Sequence, residues 1–179
     1  MKLENNTLWN EAARWGLLFG LFSSLCLGLK EAAALSGSTF AVQAAGIILW
    51  AVEFFGCILL MKRCMLSLRD RLGAGMEECY RLGKRTALLS GLILASVETV
   101  IILKMPQDAL SGLVESAASQ LGAAQREQLE AAMDYLPTVT FFTQWIYCYL
   151  YGTILSSIMA RYIFMQNLFQ GPDGEDEAQ

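Results

Sequence analysis

The chain has 179 residues, 55% of them hydrophobic and only 17% charged, with a mean hydropathy of +0.41, no histidine and a net charge of −4. Soluble domains carry about 25% charged residues, so this chain is short of the material that coats a soluble fold. The missing imidazole removes Ser-His-Asp and Cys-His catalysis and His-ligated zinc or haem, and a pI near 4.9 argues against nucleic acid as a partner.

The first residues, MKLENNTLWNEAARW, are polar and mixed in charge, without the compact basic region and small-residue site of a cleavable signal. The first apolar segment, 13–35, is therefore expected to stay as a membrane helix. Gly16, Gly20, Ser24 and Gly28 recur along it every four residues, a spacing that lets another helix approach until backbones touch. The approaching helix is a neighbouring span or, as the alternative, a second copy. A second segment, 40–61, carries Glu53 in AVEFFG.

The stretch KRCMLSLRDRLGAGMEECYRLGKR follows and is expected to extend the flanking helices around a break at Leu72-Gly73-Ala74-Gly75. The third segment, 86–105, carries Glu98 in ASVETV. Residues 106–137 hold Leu110, Leu113, Val114, Ala117 and Leu121, then Leu129, Met133 and Leu136, at helical spacing. Two short amphipathic helices outside the bundle are expected there. The fourth segment, 138–160, is crowded with Phe141, Phe142, Trp145, Tyr147, Tyr149 and Tyr151. Trp145, Tyr147 and Tyr151 form a candidate groove for a lipid or polyprenyl chain, against the alternative of bundle core and interfacial aromatics. The tail, 167–179, is acidic and expected to be disordered.

Residues 135–160, 32–52 and 15–29 contain no Asp, Glu, Lys or Arg. A bilayer core takes about 20 apolar residues of helix, and a soluble four-helix bundle would need a polar stripe on each helix that these runs lack. The expected fold is all-α: a polytopic membrane protein of four transmembrane helices forming one domain over 1–166. Lys62, Arg63, Arg69, Arg71, Arg81, Lys84 and Arg85 cluster between segments two and three, with Lys2, Arg14 and Arg161 on the same side. Only Lys30, Lys104 and Arg126 fall on the other. This bias puts both termini and the basic hairpin in the cytoplasm, where the cysteines are not expected to pair.

Glu53 and Glu98 are the candidate functional residues, with Gln144 as a third intramembrane polar group. An ionisable residue near the bilayer midplane costs about 2.5–3.5 kcal/mol on insertion scales, so it faces the interior and finds a partner. The two carboxylates can share a proton and bind a cation or relay protons. Alternatively each bonds Gln43, Thr99, Gln144 or a tyrosine and holds helices together, or meets a basic residue of another subunit. No Walker loop, CxxC pair, zinc spacing or GxSxG is present. Neither a catalytic residue nor a metal or cofactor is expected.

The opening LWNEAARWGLLFGLFSSLCLGL, the four spans, the basic hairpin and the long segment before span four resemble the bacterial family called domain of unknown function 4199. That resemblance covers nearly the whole chain and rests on layout and a WxxAxxxGxxxG-like stretch. It implies an inner-membrane protein without assigned catalytic residues, described beside a polyprenyl-phosphate glycosyltransferase. The expected function is a non-enzymatic accessory or assembly protein that works by packing with itself or another membrane protein. The alternative is a small proton- or cation-coupled transporter using Glu53 and Glu98.

Overall fold

A computed structural model describes residues 4–34, 39–104 and 135–169, and every regular element among them is a helix. These are α1 (Asn5–Ala34), α2 (Thr39–Leu72), α3 (Met76–Lys104) and α4 (Leu136–Phe169). Residues 106–134, with most of the expected amphipathic pair, lie outside the described residues, as does the tail from 170. Among the described residues three helices are long and apolar enough to cross a membrane: Asn5–Ala33, Val42–Leu72 and Met76–Lys104. Helix α4 matches α2 in length and is not one of these three.

Helix registers follow from where the small residues meet their neighbours. A Cβ added at Gly16 would stand 2.8 Å from Leu89 Cβ, and one added at Gly20 would stand 2.8 Å from Ile93 Cβ. A step of four along α1 is thus a step of four along α3, so the two run parallel. On the opposite flank of α3, Gly83 abuts Ser156, Gly91 abuts Cys148, and Gly152 of α4 abuts Ala87, so these two run antiparallel. Gly83, Ala87 and Gly91 on α3 meet Ser156, Gly152 and Cys148 on α4, both sets spaced by four. Small residues on both sides bring the backbones close, and close approach supplies dispersion contacts where lipid offers no hydrophobic drive between helices. The α4 hydroxyl of Ser156 donates to its own helix at Gly152 O (2.5 Å). Ser96 and Thr99 on α3 donate likewise to Leu92 O (2.8 Å) and Ala95 O (2.7 Å), which lets hydroxyls sit in apolar helices without partners elsewhere.

Helix α2 lies antiparallel on α1, with Phe22 against Gly56 and Arg71 reaching Glu11 at 3.6 Å. Its two halves differ. Met61, Cys64, Met65 and Leu68 are buried in a core shared with Leu8, Ala12, Cys79, Leu82, Met159 and Ile163, whereas no α2 residue from 42 to 60 is buried. The bundle is closed at the end that carries the α2–α3 turn and splayed at the other.

That turn is short because its chemistry is local. Gly73 takes φ +63°, which glycine adopts without a Cβ penalty, and its N–H donates back to Arg69 O (2.8 Å) to end α2. Gly75 precedes α3, and Glu78 three residues on reaches back to accept the Gly75 N–H at 2.8 Å. Around this end aromatic and basic side chains pair: Arg85 over Trp9 (4.6 Å), Lys84 over Tyr80 (4.9 Å) and Lys62 over Tyr162 (5.8 Å). All five cysteines are free.

Candidate functional site: a cavity between the four helices

Where α2 leaves the bundle, a cavity of about 430 Å³ opens between all four helices. Met61 and Thr86, both fully buried, lie at its closed end. Aromatic rings form two of its walls. On α2, Trp50 stacks on Phe54 (centroids 5.6 Å, planes 16° apart), and on α4 Tyr147 stacks on Tyr151 (6.5 Å, 8°). Phe54 and Tyr151 approach to 6.3 Å across the gap. The i,i+4 spacing within each pair puts both rings on one helix face.

Three charged residues border this space: Lys30 of α1, Glu53 of α2 and Glu98 of α3. Lys30 Nζ donates to Glu53 Oε2 at 2.6 Å, with side chains 29% and 23% exposed. Two charges leaving water are costly singly and tolerable as a hydrogen-bonded pair. Glu98 has no such relief. Its Oε2 is buried with no hydrogen-bond partner, and among the described residues no salt bridge reaches it. The Tyr151 hydroxyl is likewise buried without a partner. Counting 1.5 Å per residue from Lys62 and Arg85, Glu53 stands about 14 Å and Glu98 about 20 Å from the basic end, inside a bilayer core of about 30 Å.

The structure gathers Glu53, Glu98, Gln144, Tyr147 and Tyr151 around one cavity. The partners differ from those expected. Glu53 meets Lys30 rather than Glu98 or an amide; Thr99 Oγ1 is committed to Ala95 O, and Gln144 Nε2 leans on Cys148 Sγ at 3.8 Å. Trp145 is set apart from its expected companions: its indole N–H donates to Leu88 O at 3.2 Å, in the space that Gly91 leaves, and it does not line the cavity. In the first-span stripe, Gly16 and Gly20 face α3, Ser24 is half-buried, and Gly28 has nothing within 4 Å of an added Cβ.

Sequence reasoning missed Lys30, Trp50 and Phe54. Lys30 reads as a charge at the outer end of the first span, and only the α1–α2 register brings it to Glu53. Trp50 and Phe54 carry a readable i,i+4 signal that the apolar residues around them obscure. The matched small residues of α3 and α4 were also legible as a spacing of four on each helix. The site offers a carboxylate without a cation, an aromatic lining and a few hydroxyls. Such a surface attracts positive charge through the carboxylate and the ring faces. Among the described residues no group of three or more Cys, Asp or Glu is placed to hold a metal ion. Compared with known proteins, the chain matches no family model, no curated protein and no solved structure.

Proposed function

We propose that the protein is a four-span membrane protein that carries a small cationic solute through this cavity, with Glu98 as the carboxylate that meets the cation and Lys30–Glu53 as a paired rim. In this reading α4 is the fourth span, and the basic end faces the cytoplasm of a bacterial inner membrane, because basic residues concentrate on that side. No bond-making chemistry is involved. The observation that carries the reading is the Glu98 oxygen, buried at a cavity wall without a partner. The size of the cavity supports a solute over a partner's helix: a rod ~10 Å across fills roughly 420 Å³ per turn, so the space would take about one turn, whereas small-molecule sites run about 300–1,000 Å³.

Tetraphenylphosphonium is a suitable probe, being a rigid, aromatic-faced monocation. Equilibrium dialysis on detergent-purified protein should give saturable binding, weakened roughly tenfold or more in Glu98→Gln, the scale of one charge–charge attraction at an effective dielectric of about 20. Glu77→Gln, on the exposed first turn of α3, should bind as wild type. Proteoliposomes with an imposed pH gradient should accumulate the probe through wild type and not through Glu98→Gln. Absence of saturable binding, or equal binding by the Glu98 variant, would overturn the reading.

A second reading, an accessory or assembly role beside a polyprenyl-phosphate glycosyltransferase, rests on the resemblance in layout and on one feature of α2. Ile47, Ile48, Val52, Phe55 and Leu59 are exposed along its splayed half, a face that a partner's helix can cover as well as lipid can. Purification in mild detergent decides between the two. A stoichiometric membrane partner lost on Phe55→Ser would favour the accessory role, and a clean single species would favour the carrier.

A further inference from the structure

A second concavity lies on the outside of the bundle, independent of the central cavity. Arg81, Lys84, Arg85 and Leu88 stand at i, i+3, i+4 and i+7 and so share one face of α3. Trp9 of α1 and Tyr149 of α4 flank that face and close a groove of about 370 Å³. The charged end is preorganised. Arg85 donates to Asn5 O (3.3 Å) and Asn5 Oδ1 (2.6 Å) while its guanidinium lies on the Trp9 ring. Arg81 pairs with Glu77 at 2.5 Å. Among the described residues no salt bridge reaches Lys84 or Arg85, so the three cations and one carboxylate leave a net positive end. Beyond them the groove turns apolar at Leu88 and Tyr149, and Leu92, one turn further along the same face, is exposed.

A cationic pocket that runs into an apolar track on a membrane-facing helix matches an amphiphile with an anionic head. We propose that this groove binds one anionic phospholipid, its phosphate held by Arg81, Lys84 and Arg85 and an acyl chain lying along Leu88 and Leu92. A free phosphate would use only the charged end and leave the apolar track empty, so the lipid is the occupant that accounts for both. The proposal rests on the membrane location of the helices and not on the carrier reading, and it stands or falls without the central cavity.

Native mass spectrometry of delipidated protein, titrated with phosphatidylglycerol or phosphatidylcholine in detergent, tests it. One phosphatidylglycerol should be retained in preference to phosphatidylcholine. Arg81→Gln with Lys84→Gln should weaken that retention by roughly an order of magnitude, from the worth of basic residues beside anionic lipid. Leu88→Trp, which fills the apolar end and changes no charge, should weaken it as well and carries the test if the double variant does not fold. Lys62→Gln with Arg63→Gln, elsewhere in the same basic belt, should retain lipid as wild type does. Thermal unfolding supplies the last arm: phosphatidylglycerol should raise the midpoint, and inorganic phosphate at equal concentration should not. Equal retention of phosphatidylcholine, wild-type retention by both groove variants, equal loss in the Lys62/Arg63 control, or equal stabilisation by inorganic phosphate would each overturn the proposal.

Discussion

Gly152→Ala puts a single methyl group into the close-packed seam between α3 and α4. The added Cβ lands on Ala87 Cβ, with Ala87 Cα at 3.4 Å. Neither atom belongs to a side chain that can rotate away, so relief requires the α3 and α4 backbones to part. Overpacking of this kind costs about 1–3 kcal/mol. Alanine gains up to about 1 kcal/mol over glycine in a helix interior, leaving a net loss of up to roughly 2 kcal/mol. Gly28→Ala makes the same chemical change where nothing lies within 4 Å, so it should be neutral or slightly stabilising. The opposite signs of two identical substitutions isolate the packing effect. Ala87→Gly added to Gly152→Ala moves the methyl from one helix to the other. The helix-propensity gain at 152 and loss at 87 then offset, and stability should return to within about 0.5 kcal/mol of wild type. Reversible unfolding in mixed micelles, followed by far-ultraviolet circular dichroism, measures all four proteins. If Gly152→Ala behaves like Gly28→Ala, or if Ala87→Gly fails to rescue it, the α3–α4 register described above is wrong.

Glu53→Leu alone leaves the Lys30 ammonium facing the cavity without its carboxylate. Breaking a buried pair costs about 3–5 kcal/mol, and exposure of about a quarter of these side chains brings the expected loss toward the lower end. Lys30→Met with Glu53→Leu should unfold at a higher denaturant fraction than Glu53→Leu; a double variant no more stable than the single would refute the pairing. Alkaline phosphatase joined after Gln120 should be active and joined after Gly75 inactive if the basic hairpin is cytoplasmic, and the reverse pattern would invert the orientation proposed.

Class was legible without coordinates. The charge-free runs, too long and too continuously apolar for an amphipathic bundle, leave helices in a membrane as the economical solution, because a spanning backbone must satisfy its hydrogen bonds within itself. The helix break at Gly73 to Gly75 was legible for a local reason: a positive φ at glycine and a capping glutamate three residues after Gly75 both act within one turn of helix. Gly16 and Gly20 lie against α3, but the stripe's spacing said neither that α3 rather than α2 or a second copy fills it nor that Gly28 at its end meets nothing. Which helix meets which is decided by packing between segments distant in the chain, and no periodicity within one segment encodes its neighbour's register. For that reason Lys30 could not be matched to Glu53, nor Trp145 separated from Tyr147 and Tyr151, before the antiparallel pairing of α1 with α2 and of α3 with α4 was in place. The cavity belongs wholly to the tertiary structure: Gly16 and Gly20 of α1 and the small residues of α3 and α4 draw those three helices close, while α2 contributes buried residues only from Met61 on and its residues 42–60 stay half-buried or exposed.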